Sequence, residues 1–295
     1  MKKTIASIIF LCACFSTQAQ LLWKISGNGL EQPSYLFGTH HLAPIRIMED
    51  IVELRPALNR ADQVVGEMVM SDLQDPEIMM QMQQMILMPA DTTLSMLFTP
   101  EQYALINSHT KENILLDMDV VSVLKPIAIQ NNLVVALYLK LIGGGYNPQF
   151  QLDTFIQKIG ADNGKKIFGL EDPAFQFDLL FNRSTLSRQA TLLLCLVEHV
   201  DKNMQNAREL TEAYMAQDLE KMEALALERD GTQCDPLPGE WEAMVDNRNV
   251  SWAQQLPDIL REGSTFIAVG ALHLPGRNGL LSLLREQGYQ LEPLP

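Results

Sequence analysis

Cysteine is scarce in this chain, with four among 295 residues. Two of them lie near the start, and the other two, Cys195 and Cys234, are far apart in the sequence. Two cysteines are too few for a disulfide scaffold, and their spacing does not match the Cys-x-x-Cys pairs of zinc sites. In an oxidising compartment they could form a single disulfide.

Basic residues and long apolar runs are also few. The chain has 22 Lys and Arg against 36 Asp and Glu, which gives a formal charge of -14. Such an overall field disfavours binding to nucleic acid or anionic lipid. Beyond the first residues no segment approaches eighteen apolar positions, so we expect no membrane span. The sequence also lacks a His-Glu-x-x-His helix, which excludes the common zinc-protease layout.

The first nineteen residues have the layout of a secretory signal peptide. Two lysines precede a short, mostly apolar run at 4–15, and residues 16–19 lead to expected cleavage before Gln20. An alternative is a lipoprotein site with lipid on Cys14. Removal of the leader takes away two positive charges, which makes the remaining chain, about 276 residues, -16. We therefore expect an exported protein, periplasmic or secreted.

Short strand-like runs alternate with longer helical stretches through the rest of the chain. This alternation predicts an α/β fold with a central mixed, mostly parallel sheet. Helix-only stretches at roughly 71–160 and 174–262 predict large helical insertions in a single domain, 20–295. The expected strands are Leu21–Ile25 and Ser34–Phe37, a possible hairpin, then Gln63–Met68, Lys165–Leu170, Ser264–Val269 and Tyr289–Glu292. The helical period predicts helices over 48–59, with a break or kink at Pro56, over 72–88, and over 117–141 with Pro126 inside.

Four of these runs end in a glycine followed by polar residues. The polar side chains are His40 and His41, Glu67, Glu171, and His273. Ligands of open α/β sheets bind beyond the carboxyl ends of the strands, and glycine allows close approach of the backbone there. If these strands are parallel neighbours, the side chains meet at one edge. Imidazole and carboxylate together suit a divalent ion such as zinc, manganese, iron or cobalt.

Each of these residues has a plainer interpretation when it is taken alone. A histidine after a strand is often a capping or hydrogen-bonding residue, and for Glu67 or Glu171 the plainer role is a cap on the helix that follows. Asp153 stands at a predicted helix start, where capping is again the simpler account. The convergence of four strand ends is what favours a site.

Several motifs occur in an order that resembles the TraB/GumN family, which includes the TIKI metalloproteases. The matching segments run almost from end to end after the leader. They are Leu22-Trp23-Lys24-Ile25 with Tyr35-Leu36-Phe37-Gly38-Thr39-His40-His41, Ala61-Asp62 with Glu67, Gly169-Leu170-Glu171, Arg248-Asn249 with Trp252-Ala253, and Val269-Gly270-Ala271-Leu272-His273-Leu274-Pro275-Gly276 with Gly279-Leu280-Leu281.

The resemblance implies that His41, His273 and Glu67 bind a metal ion, with manganese, cobalt or zinc as candidates. For TIKI relatives the implied activity is peptide cleavage. His40 departs from the family pattern, because that position is usually apolar. It either faces solvent or adds a third imidazole near the metal.

Arg248 is a candidate for positioning a substrate carboxylate or a developing oxyanion. It could equally pair with Glu242 or Asp246 on its own helix surface. The leading hypothesis is therefore an exported metal-dependent hydrolase that cleaves a peptide or other amide, with Glu67, Glu171 and Arg248 as catalytic candidates. The alternatives are a non-catalytic protein that sequesters a peptide, and an accessory factor in envelope polysaccharide export.

Overall fold

The computed structural model of the protein describes residues 20–142 and 151–295. The expected signal peptide and the lipoprotein cysteine lie outside the described residues. Within those ranges one six-stranded sheet forms the centre of the fold. Its strands are β1 (Leu22–Gly27), β2 (Ser34–Thr39), β3 (Gln63–Gly66), β4 (Lys166–Gly169), β5 (Thr265–Gly270) and β6 (Tyr289–Pro293).

The strand order is β4-β3-β5-β2-β1-β6. Neighbours among β4, β3, β5 and β2 are parallel, whereas β1 is antiparallel to both β2 and β6. The expected hairpin is therefore confirmed, and Gly27, Asn28 and Gly29 close it in the left-handed region of φ. The mixed, mostly parallel α/β sheet is confirmed as well.

Helices make the connections that parallel strands require. Between β2 and β3 lie α1 (Ile47–Asp50) and α2 (Leu54–Arg60). The two long connections are helical. The connection from β3 to β4 contains α3 (Pro76–Met85), α4 (Pro100–Ile114), α5 (Pro126–Leu141) and α6 (Leu152–Asp162). The connection from β4 to β5 contains α7 (Pro173–Phe181), α8 (Leu186–Glu198), α9 (Val200–Met215), α10 (Leu219–Leu227) and α11 (Asn247–Glu262). The last helix, α12 (Leu280–Glu286), precedes β6.

Proline sets helix starts that the hydrophobic period alone misplaces. The helical stretch expected at 48–59, with a break or kink at Pro56, is two helices, and the break lies before Pro56, which is in the first turn of α2. Pro76 and Pro126 open α3 and α5, whereas sequence periodicity predicts helices that start at 72 and 117. A residue in the first turn needs no N–H partner inside the helix, so proline is tolerated there.

The central strands β2, β3 and β5 are buried on both faces, as parallel strands require, whereas the edge strands β4 and β6 are partly exposed. Side chains such as Phe37, Val65 and Ile267 are fully buried in one large cluster. A second cluster joins the inserted helices to one another through Ile129 and Leu193, among others.

A disulfide joins Cys195 to Cys234, as the two cysteines allowed. None of the helices in the described ranges is both long and apolar enough to cross a membrane.

Candidate functional site

The carboxyl ends of the four parallel strands meet at one edge of the sheet. Thr39 of β2 lies opposite Gly270 of β5, while Gly66 of β3 lies opposite both Ala268 of β5 and Gly169 of β4. His41, Glu67, Glu171 and His273 follow these ends within three residues. The register therefore brings the polar ends of β2, β5, β3 and β4 to one edge, in that order.

Glycine lets the loops at this edge pack closely. A Cβ at Gly38 would lie 2.9 Å from the Cα of Ala271, and one at Gly169 would lie 2.9 Å from the Cα of Met68. Neither distance is tolerated between carbon atoms, so a side chain at either position would push adjacent loops apart. The strand-end glycines of the sequence pattern are thus required by the contact between loops.

Glu67 is buried at the centre of this edge, with 14% of its side chain exposed. Its Oε1 accepts a hydrogen bond from the backbone N–H of Gly270 at 2.8 Å and lies 3.8 Å from Nε2 of His273. Burial opposes ionisation of Glu67. The positive charges of His273, which is protonated at such acidic pH, of Arg248 and of His41, together with the Gly270 N–H, outweigh it and lower the pKa to about 2. The carboxylate is therefore ionised throughout the physiological range.

Arg248 joins the two acidic residues of the site. Its Nη2 donates to Oε2 of Glu67 at 2.6 Å and to Oε2 of Glu171 at 2.8 Å, while its Nε donates to Oε1 of Glu171 at 2.9 Å. The expected alternative, pairing with Glu242 or Asp246, is wrong, because Arg248 lies on the inward face of α11 with 7% of its side chain exposed.

Trp252 and Gln176 complete the support of Glu171. The indole N–H of Trp252 donates to Oε1 of Glu171 at 3.0 Å, and its ring lies 4.7 Å from the Arg248 guanidinium carbon. Gln176 donates to both Glu171 and Glu67 at 3.2 Å. Sequence reasoning assigned neither residue a role. The four-residue spacing from Arg248 to Trp252, which puts both on one helix face, was the available signal.

His273 is buried, and both ring nitrogens are engaged. Its Nδ1 lies 2.7 Å from Oδ1 of Asn249, and its Nε2 lies 3.2 Å from Nη1 of Arg248. Since arginine only donates, Nε2 accepts and the proton is on Nδ1. Burial lowers the pKa of His273 to about 4, and the attraction of Glu67 does not offset it. His273 is therefore neutral near pH 7.

His41 has a different environment at the end of β2. Its imidazole is 60% exposed, and Nδ1 lies 2.9 Å from Oδ2 of the buried Asp153. Partial loss of solvent opposes protonation of His41, but the charge and hydrogen bond of the Asp153 carboxylate outweigh this and raise the pKa to about 9. The expected capping role of Asp153 is wrong: its other oxygen accepts from Thr39 Oγ1 at 2.8 Å, and among the described residues no side-chain hydrogen bond caps α6.

His40 is partly buried instead of facing solvent. Its ring packs at 5.2 Å from the ring of Tyr214, and its Nδ1 accepts from the backbone N–H of Leu42. That nitrogen stabilises the loop after β2, so it is not a free ligand atom.

The donor types at this edge fit a divalent ion, since two imidazoles each have Nδ1 held by an oxygen and one ionised carboxylate lies beside them. The positions of these side chains, however, do not form a complete set of metal ligands. Within the described parts of the chain, no three His, Cys, Asp or Glu side chains form a group that could hold a metal. Arg248 contacts both Glu67 and His273, so an ion bound by these two residues would require the guanidinium to shift.

A cleft of about 680 Å³ opens next to the paired charges of Glu67, Arg248 and Glu171. Glu171 and Arg248 lie in its wall, and apolar side chains such as Phe175 and Leu179 of α7 line it together with Val69. The predicted candidates Glu171 and Arg248 therefore border a space of the size that holds a small ligand or a short peptide segment.

The fold and site define an α/β protein with a histidine, glutamate and arginine centre at the carboxyl edge of its parallel strands. The sequence profile of the TraB/PrgY/gumN family matches residues 21–293, and the chain belongs to this family. The resemblance drawn from the ordered motifs is thereby confirmed. No curated protein and no solved structure is significantly similar to the chain.

Proposed function

We propose that the protein is an exported, metal-dependent hydrolase that cleaves peptide or other amide bonds. The observation that carries the proposal is that His41 and His273 follow the ends of two adjacent parallel strands, β2 and β5. Each has Nδ1 held by an oxygen of another element, Asp153 or Asn249, so Nε2 is the nitrogen that would bind an ion. For that, Nε2 of His273 would have to give up its contact with Arg248, and Nε2 of His41, whose pKa is raised to about 9, would have to release its proton. Such second partners are typical of metal-binding histidines.

The roles of the two glutamates follow from their contacts. Glu67 would bind the ion together with His41 and His273, because its Oε1 lies 3.8 Å from Nε2 of His273 and carboxylate and imidazole together suit a divalent ion. Glu171 holds Arg248 through a forked pair of hydrogen bonds. A bound divalent ion would supply Lewis acidity, which polarises a carbonyl and acidifies water.

Arg248 is the residue best placed to act on a substrate. It lies in the wall of the cleft and also contacts the histidine and glutamate of the centre. The N–H groups of this guanidinium all have partners in the structure, so Arg248 would bind a carbonyl oxygen or a terminal carboxylate in exchange for one of those contacts. The apolar wall formed by Phe175 and Leu179 supports a substrate with an apolar side chain.

Export is supported by the disulfide between Cys195 and Cys234, because such bonds persist in oxidising compartments. Together with the leader sequence, it favours a periplasmic or secreted protein over one that stays in the cytosol.

Metal analysis combined with a cleavage assay tests the proposal. Purified protein should retain a divalent metal after dialysis and cut members of a broad peptide library. His41→Ala and His273→Ala should each lose the metal and the cleavage. His199→Ala is a matched control, because His199 is exposed and lies outside the site.

Full metal content in both folded site variants would overturn the metal site. A wild-type protein that binds metal and peptides, yet leaves the whole library uncut, would instead support a peptide-sequestering protein. Peptide cleavage that needs His41 and Arg248 but no metal would make the protein a metal-independent hydrolase.

A further inference from the structure

Asp153 is a buried carboxylate whose two oxygens are both used at the site edge. It is the second residue of α6, and 7% of the residue is exposed. Oδ1 accepts from Thr39 Oγ1 at 2.8 Å, and Oδ2 accepts from His41 Nδ1 at 2.9 Å. Both partners belong to the end of β2, more than a hundred residues earlier in the chain. Asp153 therefore links the insertion to the strand end that carries His41.

A buried carboxylate is costly unless its oxygens are satisfied. The first turn of a helix offsets part of that cost, because the helix dipole stabilises negative charge there. An exposed aspartate at this position would gain the same benefit without being buried. The dipole alone therefore does not account for its contacts with Thr39 and His41.

His41 needs an anchor that His273 does not. Its imidazole is 60% exposed, so packing does not fix its orientation, whereas the His273 side chain is 7% exposed and is held by its neighbours. An exposed side chain loses rotamer freedom when it is held in one geometry, and a charge-assisted hydrogen bond is among the few contacts strong enough to do so.

We propose that Asp153 is a positioning residue that holds His41 by Nδ1 and thereby presents Nε2 to the centre, with Thr39 fixing the carboxylate in turn. The role of the presented nitrogen rests on the proposed function. The hydrogen bond between Asp153 and His41 does not rest on that function. Through this bond, a residue of the first helical insertion supports the site.

The test uses metal-free protein labelled with ¹⁵N-histidine, which has five histidines to assign. An Nδ1 proton that is hydrogen-bonded to a carboxylate resonates far downfield, and its absence in His41→Ala assigns it. Asp153→Ala should abolish this resonance. Asp153→Asn, which keeps the volume, should shift it upfield because the acceptor is no longer charged. Asp162→Asn, on the exposed face of the same helix, should leave it unchanged.

Manganese titration of the same proteins gives a second readout. Asp153→Ala should weaken manganese binding on the order of 10–100-fold, as loss of a ligand's supporting partner does. An unchanged downfield resonance in both folded Asp153 variants would overturn the positioning role, as would unchanged manganese affinity. If the wild-type protein binds no manganese while the resonances behave as expected, the anchor is supported and only the metal-dependent function fails.

Discussion

Two segments of the chain, Gly38-Thr39-His40-His41 and Gly270-Ala271-Leu272-His273, share the spacing Gly-x-x-His and lie at the ends of neighbouring strands. Their last histidines nevertheless differ in exposure and in pKa. His41 is 60% exposed, and the neighbouring Asp153 raises its pKa to about 9. The His273 side chain is 7% exposed, and burial lowers its pKa to about 4 beside the neutral amide of Asn249. The comparison shows that the motif sets where each histidine lies in the fold, whereas its hydrogen-bond partner and its burial set whether the imidazole is charged.

The two segments also differ in how their surroundings are built. His41 depends on Asp153 for its side-chain hydrogen bond, whereas His273 lies against a network in which Arg248 bridges Glu67 and Glu171. We therefore expect substitutions on the His273 side to affect folding, and those on the His41 side to affect mainly the site.

The largest effect is expected for Arg248→Met. Removal of the guanidinium leaves Glu67 and Glu171 as buried carboxylates without their shared partner. The free energy of unfolding should fall by about 3–5 kcal/mol in a denaturant titration. Arg183→Met is the control, because Arg183 lines the same cleft but is exposed and weakly paired. Equal stability losses in the two variants would contradict the bridging role.

Asn249→Asp should make the environment of His273 more like that of His41. A carboxylate at Nδ1 favours the protonated ring, so the pKa of His273 should rise from about 4 by about 1–3 units. Because its folded pKa lies below the ordinary value of 6.5, native His273 lowers stability as the pH falls from 6.5 towards 4. That loss should shrink in the variant, as measured by NMR titration and by denaturation at several pH values. A pKa that stays at its native value would show that burial alone sets the charge.

Trp252→Phe should have a moderate effect. The substitution keeps the aromatic packing against His273 but removes the indole N–H that donates to Glu171. We expect a loss of about 1 kcal/mol in the free energy of unfolding, the usual size for one hydrogen bond. A loss as large as that of Arg248→Met would mean that the indole, and not the arginine, holds the network together.

Gln176→Ala should have the smallest effect of the set. Its amide makes two long hydrogen bonds, both at 3.2 Å, to carboxylates that Arg248 already pairs. We expect a loss of about 0.5 kcal/mol. The measurement is again denaturant unfolding, and a substantially larger loss would indicate that Arg248 does not satisfy the two carboxylates by itself.

The sheet and the strand-end residues could be predicted from the sequence, because apolar runs that end in glycine are local signals. The same locality explains the errors. Pro76 and Pro126 open helices that periodicity alone extends too far back. Sequence did not indicate that Asp153 would anchor His41, because that contact depends on how the first helical insertion packs against β2.

The charge states of the two histidines could not be predicted either. They depend on burial and on partners contributed by other elements, Asp153 of α6 for His41 and Asn249 of α11 for His273. From the sequence, Arg248 was equally able to pair with carboxylates on its own helix surface. Its pairing with Glu67 and Glu171 results from the packing of α11 against the sheet edge.

Cobalt titration of the metal-free protein, followed by visible absorption, tests most directly whether His41 and His273 form one metal site. Co²⁺ in a site of imidazole and carboxylate ligands gives d–d bands whose growth reports stoichiometric binding. We predict one Co²⁺ per chain in the wild-type protein and loss of the bands in both His41→Ala and His273→Ala, with His199→Ala unchanged. A wild-type protein without bands, or either site variant with the full spectrum, would contradict the account.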